Sequence, residues 1–414
     1  MKLGLATIDS VCERLGRPEA AVPSVLVAGT NGKGSVAAML SAIAAAAGVR
    51  AGLYTSPHLS RAGERVRIGE TDVSDGELDA FLAPVFRAAD ASPEVSLTYF
   101  EALTAAAFLA FAGRSLDLAI LEIGLGGRFD ATNVAPARLS IVTTIGLDHV
   151  AELGPTVQAI AREKAGVFRA GRPALIGRCP DDARLALAEV ARETGALLHD
   201  AADEISLDDV ATSLEGTRFR LATPVTRYEL ATPLPGAHQA ANAALATRAA
   251  ELLSGELRGF EDGTIARGLA STRWPGRLEK LCVRGRTVIL DGCHNPQGAE
   301  ALVRFLRDTD LAGRARLVFG AMADKDVERM SAILFPSAAT VRLVHAASPR
   351  AASTEELLRR TVHGRSRSIA APDVESALED LLRDPDPAPI IVAGSLYLVG
   401  EARERLLSGR FEEE

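Results

Sequence analysis

The chain has 414 residues, 47% of them hydrophobic, 24% charged and 4% aromatic, with a formal net charge of −8. That length exceeds what one core supports and predicts two domains. The acidic balance excludes general nucleic-acid binding, which needs spare lysine and arginine to neutralise phosphates.

Four cysteines, Cys12, Cys179, Cys282 and Cys293, form no Cys-x-x-Cys pair. They read as reduced thiols, and neither a disulfide framework nor a zinc site is expected. Residues 1–17 mix charges with apolar positions and lack the apolar run of a signal peptide. The Ala-rich segment 36–49 follows a glycine loop and reads as a buried helix, not a membrane span. A cytoplasmic protein is expected.

Short β-branched or Leu-rich runs at 24–28, 117–122, 140–145 and 174–177 predict strands. Helical patterns at 33–47, 98–112, 156–164 and 182–193 lie between or beside them. Such alternation predicts an α/β fold, a mostly parallel sheet covered by helices. Alternating apolar positions near 64–73, broken at Gly69, predict a small hairpin. Strand-like alternation from 207 to 234 precedes a helix at 238–253. The stretch 271–276, with the single Trp and Pro275-Gly276, reads as a hinge. A second alternation follows: strands at 287–291, 316–320, 340–344 and 390–393, with helices from 297, after 326 and after 353. The reading is a larger N-terminal P-loop-type domain, 1–273, and a smaller C-terminal Rossmann-like α/β domain, 274–414.

The strongest motif is Val25-Leu-Val-Ala-Gly29-Thr-Asn-Gly32-Lys33-Gly34-Ser35. An apolar strand runs into a glycine turn and a helix N-terminus, where N–H groups and the helix dipole can hold phosphate and Lys33 adds a charge. It departs from the usual phosphate-loop pattern, with Val27 in place of the first glycine and Gly34 between Lys33 and Ser35. A turn that only packs strand on helix would not need Lys33 and Ser35 together.

Glu122 ends an apolar strand and leads into Gly124-Leu-Gly126-Gly127-Arg128-Phe129-Asp130-Ala-Thr-Asn133. An acid there is placed to ligate Mg2+. A plain turn explains the glycines but not Glu122, Arg128 and Asp130 together. Asp148-His149 ends another strand, and strand C-termini converge on the ligand crevice in such folds. Lys164 ends a helix, where a lysine ordinarily serves the helix dipole. His238-Gln-Ala-Ala-Asn242 opens a helix, and Arg277 lies at the hinge. Asp291-Gly-Cys-His294-Asn-Pro296 ends a strand, either as a nucleotide or metal contact or as an Asx-type turn.

Taken in order, these motifs resemble the folylpolyglutamate synthase/dihydrofolate synthase family of Mur-type ligases. The match rests on residues 29–35, Ser56-Pro-His-Leu59, Glu64-Arg-Val-Arg67, Leu97-Thr-Tyr-Phe-Glu101, 122–133, Leu147-Asp-His149, Glu163-Lys-Ala-Gly166, Arg277, 291–296 and Asp324-Lys-Asp326. It spans essentially the whole chain. Cys293 departs from the family's usual alanine, a small-for-small change. Bacterial members usually carry a longer segment before the region matching residues 2–4, and here the chain starts almost on it.

The resemblance implies ATP-driven formation of an acyl phosphate on a reduced folate or dihydropteroate, followed by attack of the L-glutamate amine. Most of the catalysis would be charge neutralisation. By position, Gly32, Lys33, Gly34 and Ser35 would hold the ATP phosphates. Asn242, Arg277, Asp291, Gly292, Cys293 and His294 would add further ATP contacts, with His294 also catalytic. Ser56 and Glu122 would hold one Mg2+, and His149 a second together with a carbamylated Lys164. Leu3, Gly4, Thr98, Tyr99, Phe100, Glu101, Phe129, Asp130 and Ala131 would line the pterin site. Lys33, Lys164, His149 and His294 would carry the chemistry. The C-terminal domain would take the glutamate side and close over ATP. The protein is expected to be a monomer with small-molecule partners, without nucleic acid or membrane.

Two other readings stay open here. A peptidoglycan-building Mur ligase needs a uridine-binding region, which is not identified. A P-loop NTPase without ligation leaves Lys164, Asp291 and His294 without a role. A nicotinamide dehydrogenase fits the glycine spacing poorly.

Overall fold

The computed structural model describes residues 4–361, 368–409 and 411. The chain forms two compact units. The first comprises Met1–Asp209, Phe219–Ala231 and Ala240–Thr272, and the second Val210–Arg218, Thr232–Gln239 and Arg273–Glu414.

The first unit is built on eight strands: β1 (Ser24–Ala28), β2 (Ala51–Tyr54), β3 (Val66–Ile68), β4 (Thr71–Asp72), β5 (Leu118–Glu122), β6 (Ala137–Val142), β7 (Pro173–Ile176) and β8 (Leu197–Asp200). Their order is β4-β3-β2-β5-β1-β6-β7-β8. Six strands are parallel, and only β3 and β4 run antiparallel to their neighbours, as the 64–73 hairpin. Every residue of β1 and β5 is buried. Parallel strands covered on both faces read as continuous apolar runs, and for that reason their sequences do not alternate.

Strand order places β1 between β5 and β6. The chain leaves β1 toward β2 on one side and later crosses from β5 to β6 on the other, which makes a topological switch at the C-terminal strand ends. The register sets Val27 beside Glu122 and Ala28 beside Val142, so three loops open side by side there. The helix Lys33–Ala46 starts at this edge and packs against the helix Asp262–Ser271. The helix Tyr99–Ala112 starts one residue after the predicted position because Thr98 is its cap.

Two differences from the sequence pattern have physical causes. The helix Asp75–Asp90 is unexpected, since Pro84 interrupts its period, but Ser74 and Glu77 close a capping box at its start. The strand expected over 140–145 stops at Val142. Thr143 and Thr144 leave the ladder to bond the 29–31 loop.

A separate three-stranded sheet holds β9 (Ser206–Ser213), β10 (Gly216–Ala222) and β11 (Arg227–Thr232), in order β11-β10-β9. The second unit has β12 (Glu279–Val283), β13 (Arg286–Asp291), β14 (Arg316–Phe319), β15 (Thr340–Leu343), β16 (Ser368–Ala370) and β17 (Ile390–Ala393). Their order is β12-β13-β17-β14-β15-β16, parallel except for β12. Its core is Leu-, Phe- and Ala-rich, with Phe319 and Phe335 edge to face at 5.3 Å. Helices Val374–Arg383 and Leu396–Leu407, not foreseen from the pattern, belong to this unit.

Candidate active site

The loop after β1 is pinned on all sides. Thr30 donates its N–H to Thr144 O at 2.8 Å, and its hydroxyl bonds Gly146 N at 3.0 Å. The Thr143 hydroxyl donates to Asn31 O at 2.6 Å. Gly32 caps the following helix at φ +83°, a left-handed conformation that favours glycine. A Cβ there would also stand 2.5 Å from Asn242 Oδ1, so the glycine lets the buried Asn242 reach the loop. Gly34 and Ser35 are buried in the first helical turn, where N–H groups lack intrahelical partners.

Two lysines meet at this loop. Lys33 Nζ donates to Gly29 O at 3.2 Å and to Thr30 O at 3.4 Å. Lys164 Nζ donates to the same Gly29 O at 2.8 Å. Lys164 is only 5% exposed. Burial, and then the charge of Lys33, lower its pKa to about 7, while Asp148 and Asp130 oppose the shift. An amine so placed is available as a nucleophile at neutral pH.

Glu122, buried at the end of β5, accepts the Ser56 N–H at 3.1 Å. His149 sits at φ +51°, a strained conformation for a non-glycine residue. Its N–H bonds the Asp148 carboxylate at 2.9 Å, and it precedes the short helix Val150–Leu153. Among the described residues no three His, Cys, Asp or Glu side chains gather as a metal cluster.

The 124–133 loop rests on the helix that carries Lys164. A Cβ on Gly127 would stand 2.6 Å from Lys164 O, so only glycine permits this approach. Arg128 N donates to Glu163 O, and Asn133 Nδ2 bridges Arg128 O and Gly166 O. Arg169 in turn clamps Asn133 through its O and Oδ1 at 2.8 Å. The buried Asp130 accepts from Thr132 Oγ1 (2.6 Å), Thr132 N (3.1 Å) and Leu125 N (2.9 Å). Burial nonetheless lifts its carboxyl above the ordinary range. Ala131 is buried behind it, whereas Phe129 is exposed.

Phe100 lies over Gly124 and 6.1 Å from Tyr54. Thr98 and Glu101 face each other: the Glu101 carboxylate accepts from Thr98 N and Oγ1, both at 2.8 Å. Their side chains are thus engaged in capping the helix. Tyr99 is exposed beside Arg65. Gly4 has open space around its Cβ position, and Leu3 lies outside the described residues.

In the second unit, Asp291 ends β13 and accepts from Leu278 N and Cys293 N, each at 3.1 Å. His294 Nδ1 bonds Gly292 O at 2.9 Å, and Arg277 donates to Gly276 O. A Cβ on Gly292 would stand 2.4 Å from Arg277 Nη1. Asn295 caps the helix Pro296–Asp308. These residues form one connected turn. Sequence reasoning assigned nothing to Arg65, His58, Asn133 or Arg169 individually; the first three lay in quoted motifs, which were their only signal, and Arg169 lay in none.

Comparison with known proteins gives the class. The Mur ligase middle domain matches residues 27–250, and the domain described as Mur ligase, glutamate ligase domain matches residues 276–396. The chain is 34% identical over 413 residues to the dihydrofolate synthase/folylpolyglutamate synthase of Bacillus subtilis, covering 98% of this chain and 95% of that one. The Escherichia coli FolC structure in complex with DHPP and ADP superposes with TM-score 0.89 at 33% identity, over 99% of this chain and 94% of that one. A bifunctional folylpolyglutamate synthase/dihydrofolate synthase with Mn, AMPPNP and L-glutamate bound superposes with TM-score 0.85 at 35% identity, over 98% and 95%. The chain belongs to the dihydrofolate synthase/folylpolyglutamate synthase family and is an ATP-dependent glutamate ligase.

Proposed function

We propose that the chain adds L-glutamate both to dihydropteroate and to reduced folates, using one site for the two acceptors. ATP phosphorylates the acceptor carboxylate with loss of ADP. The glutamate amine then attacks the acyl carbon, the amide forms and phosphate leaves. The observation that carries this reading is the convergence of Lys33 and the buried Lys164 on Gly29 O, at the mouth of a phosphate-binding loop.

Gly32–Ser35 would cradle the phosphates, with Lys33 balancing charge on the transferred group. Asn242, Arg277 and residues 291–294, including His294, are the further nucleotide contacts of this reading. A divalent ion fits Ser56 and Glu122. Mg2+ takes few protein ligands and completes its shell with water and phosphate oxygens, so one buried carboxylate close to the backbone of a serine would suffice. Such an ion supplies neutralisation of the charge on the transferring phosphoryl group.

Lys164 as an ammonium cannot ligate a cation. As a neutral amine it can attack CO2 and release a proton, which leaves an anionic carbamate. Its lowered pKa supports that step, and His149 would share a second ion with the carbamate. Phe100 would stack on the pterin and Asp130 would offer its remaining lone pair to a ring N–H group. Thr98 and Glu101 would hold that helix start in place, and Tyr99, Phe129, Ala131 and the 3–4 segment would border the pocket. The second unit would serve glutamate, in line with the family description of 276–396. The reading includes a cytoplasmic monomer. Among the described residues no helix is long and apolar enough to cross a membrane.

The test is phosphate release from ATP with Mg2+ and L-glutamate, using 7,8-dihydropteroate or tetrahydrofolate, with product masses measured. One glutamate added to each acceptor is expected. Addition to only one would remove the dual activity, and addition to neither would overturn the reading.

A further inference from the structure

Three arginines described here are buried: Arg65, Arg248 and Arg316, at 7%, 7% and 8% exposure. Two of them are paired twice over. Arg248 meets Glu204 at 2.8 Å and Glu251 at 3.0 Å, and Arg316 meets Asp384 and Asp386, each at 2.8 Å. Arg65 has no carboxylate partner among the described residues; its neighbours are a histidine and two tyrosines. Its Nε donates to His58 Nδ1 at 3.0 Å, its guanidinium carbon lies 5.4 Å from the Tyr99 ring centroid, and its charge acts on the buried Tyr54 hydroxyl. Burial without an opposite charge is costly, and native proteins avoid it unless a ligand supplies the partner.

The place is informative. Tyr54 feels the charges of both Arg65 and Asp130. Its ring is 6.1 Å from Phe100, and the Gly124 Cβ position lies 2.6 Å from Phe100 Cζ and 3.2 Å from Asp130 Oδ2. One acid and one guanidinium therefore stand around the same aromatic pair. Asp130 is not paired with Arg65: no ion pair joins them, and three bonds from its own loop tie its oxygens in place with about one lone-pair site left over. His58 accepts from Arg65 at Nδ1 and so engages the Nε donor, and no Nη donor of Arg65 meets a carboxylate among the described residues.

We propose that Arg65 binds the ring carbonyl oxygen of the substrate's fused heterocycle, the acceptor that the dihydro and tetrahydro rings share, with His58 as its positioning residue. A fused pyrimidinone has a donor edge of N–H groups and, on the other side, a carbonyl oxygen that accepts. A carboxylate suits the first and a planar guanidinium the second. This rests on the folate reading above. The competing ligand for a lone guanidinium is the α-carboxylate of a glutamyl residue, which reduced folates carry and dihydropteroate lacks.

The experiment compares Arg65→Met, Arg65→Lys and Arg248→Met with the full-length wild type, measuring KM for each acceptor, KM for ATP and Tm. For Arg65→Met the acceptor KM is expected to rise about tenfold or more, the scale of a lost hydrogen bond to a charged group. The rise should be alike for dihydropteroate and tetrahydrofolate, with KM for ATP unchanged and Tm equal to wild type or higher. Arg65→Lys should fall between. Arg248→Met should instead lower Tm and leave both KM values alone. A rise for tetrahydrofolate only would overturn the ring assignment in favour of the α-carboxylate. A lowered Tm with unchanged KM would make Arg65 structural. Should the wild type turn over neither acceptor, the folate reading itself fails, a result separable from either of these.

Discussion

The first unit holds two polar clusters inside the same fold, and they are built on opposite terms. Behind the sheet, Arg248 is enclosed by Glu204 and Glu251, and Glu251 also receives Thr223 and Tyr228 hydroxyls at 2.6 and 2.8 Å. At the sheet's C-terminal edge, Lys164 and Lys33 share one carbonyl, Arg65 meets no acid among the described residues, and His149 is held at positive φ. The first cluster is closed and satisfied internally. The second brings two lysines to one carbonyl beside an arginine without a carboxylate partner among the described residues, a concentration of positive charge that suits anionic groups.

That contrast can be broken by substitution. Lys33→Met should lower kcat about 10³-fold, the scale of losing one preorganised charge on a transferring phosphoryl group, with little change in Tm. A loss under tenfold would remove Lys33 from the chemistry. Lys164→Met should also abolish turnover, yet it should stabilise the fold. In the folded state this lysine gives up its proton near 7, against 10.5 ordinarily, so between those values the unfolded chain binds more protons. Stability from this group is therefore lowest below about pH 7 and rises with pH through that window. The Tm gain of Lys164→Met should be largest near pH 7 and fade toward pH 10, as calorimetry would show. CO2-depleted buffer should depress wild-type activity and bicarbonate restore it; indifference to both would sink the carbamate.

The closed cluster should respond in reverse. Glu251→Ala leaves Arg248 half-paired and should cost about 3–5 kcal/mol in denaturant unfolding, with kcat per folded molecule unchanged. Gly127→Ala forces a Cβ against Lys164 O and should cost about 1–3 kcal/mol, with a larger effect on kcat than on KM for ATP. An unchanged kcat would mean that the 124–133 loop does not register Lys164. The smallest effect belongs far from either cluster. Ser74→Ala should cost about 1 kcal/mol by opening the capping box of Asp75–Asp90. Glu77, bonded by Ser74 N–H and then by Arg114, has its carboxyl lowered to about 2. Its contribution is full above its ordinary 4.5 and is lost as pH falls toward 2; the variant keeps the Ser74 N–H and Arg114, so acid should narrow the gap only by the share of the Ser74 hydroxyl's bond to Glu77.

Local chemistry in the chain was enough to reveal the parallel α/β class, the phosphate loop, and the candidate acids and lysines at strand and helix ends. Continuous apolar runs, glycine turns and cap residues act over a few neighbours, and a linear pattern records them. The tertiary structure decided what depends on distant segments meeting. It drew Thr143 and Thr144 out of the strand to brace the 29–31 loop, and it buried Lys164 against Gly29, 135 residues away. It also committed the Glu101 and Asp130 carboxylates to caps and left Arg65 without an acid among the described residues. Burial and charge pairing are set by three-dimensional neighbours, so a lysine's proton or an arginine's missing partner cannot be read from spacing alone.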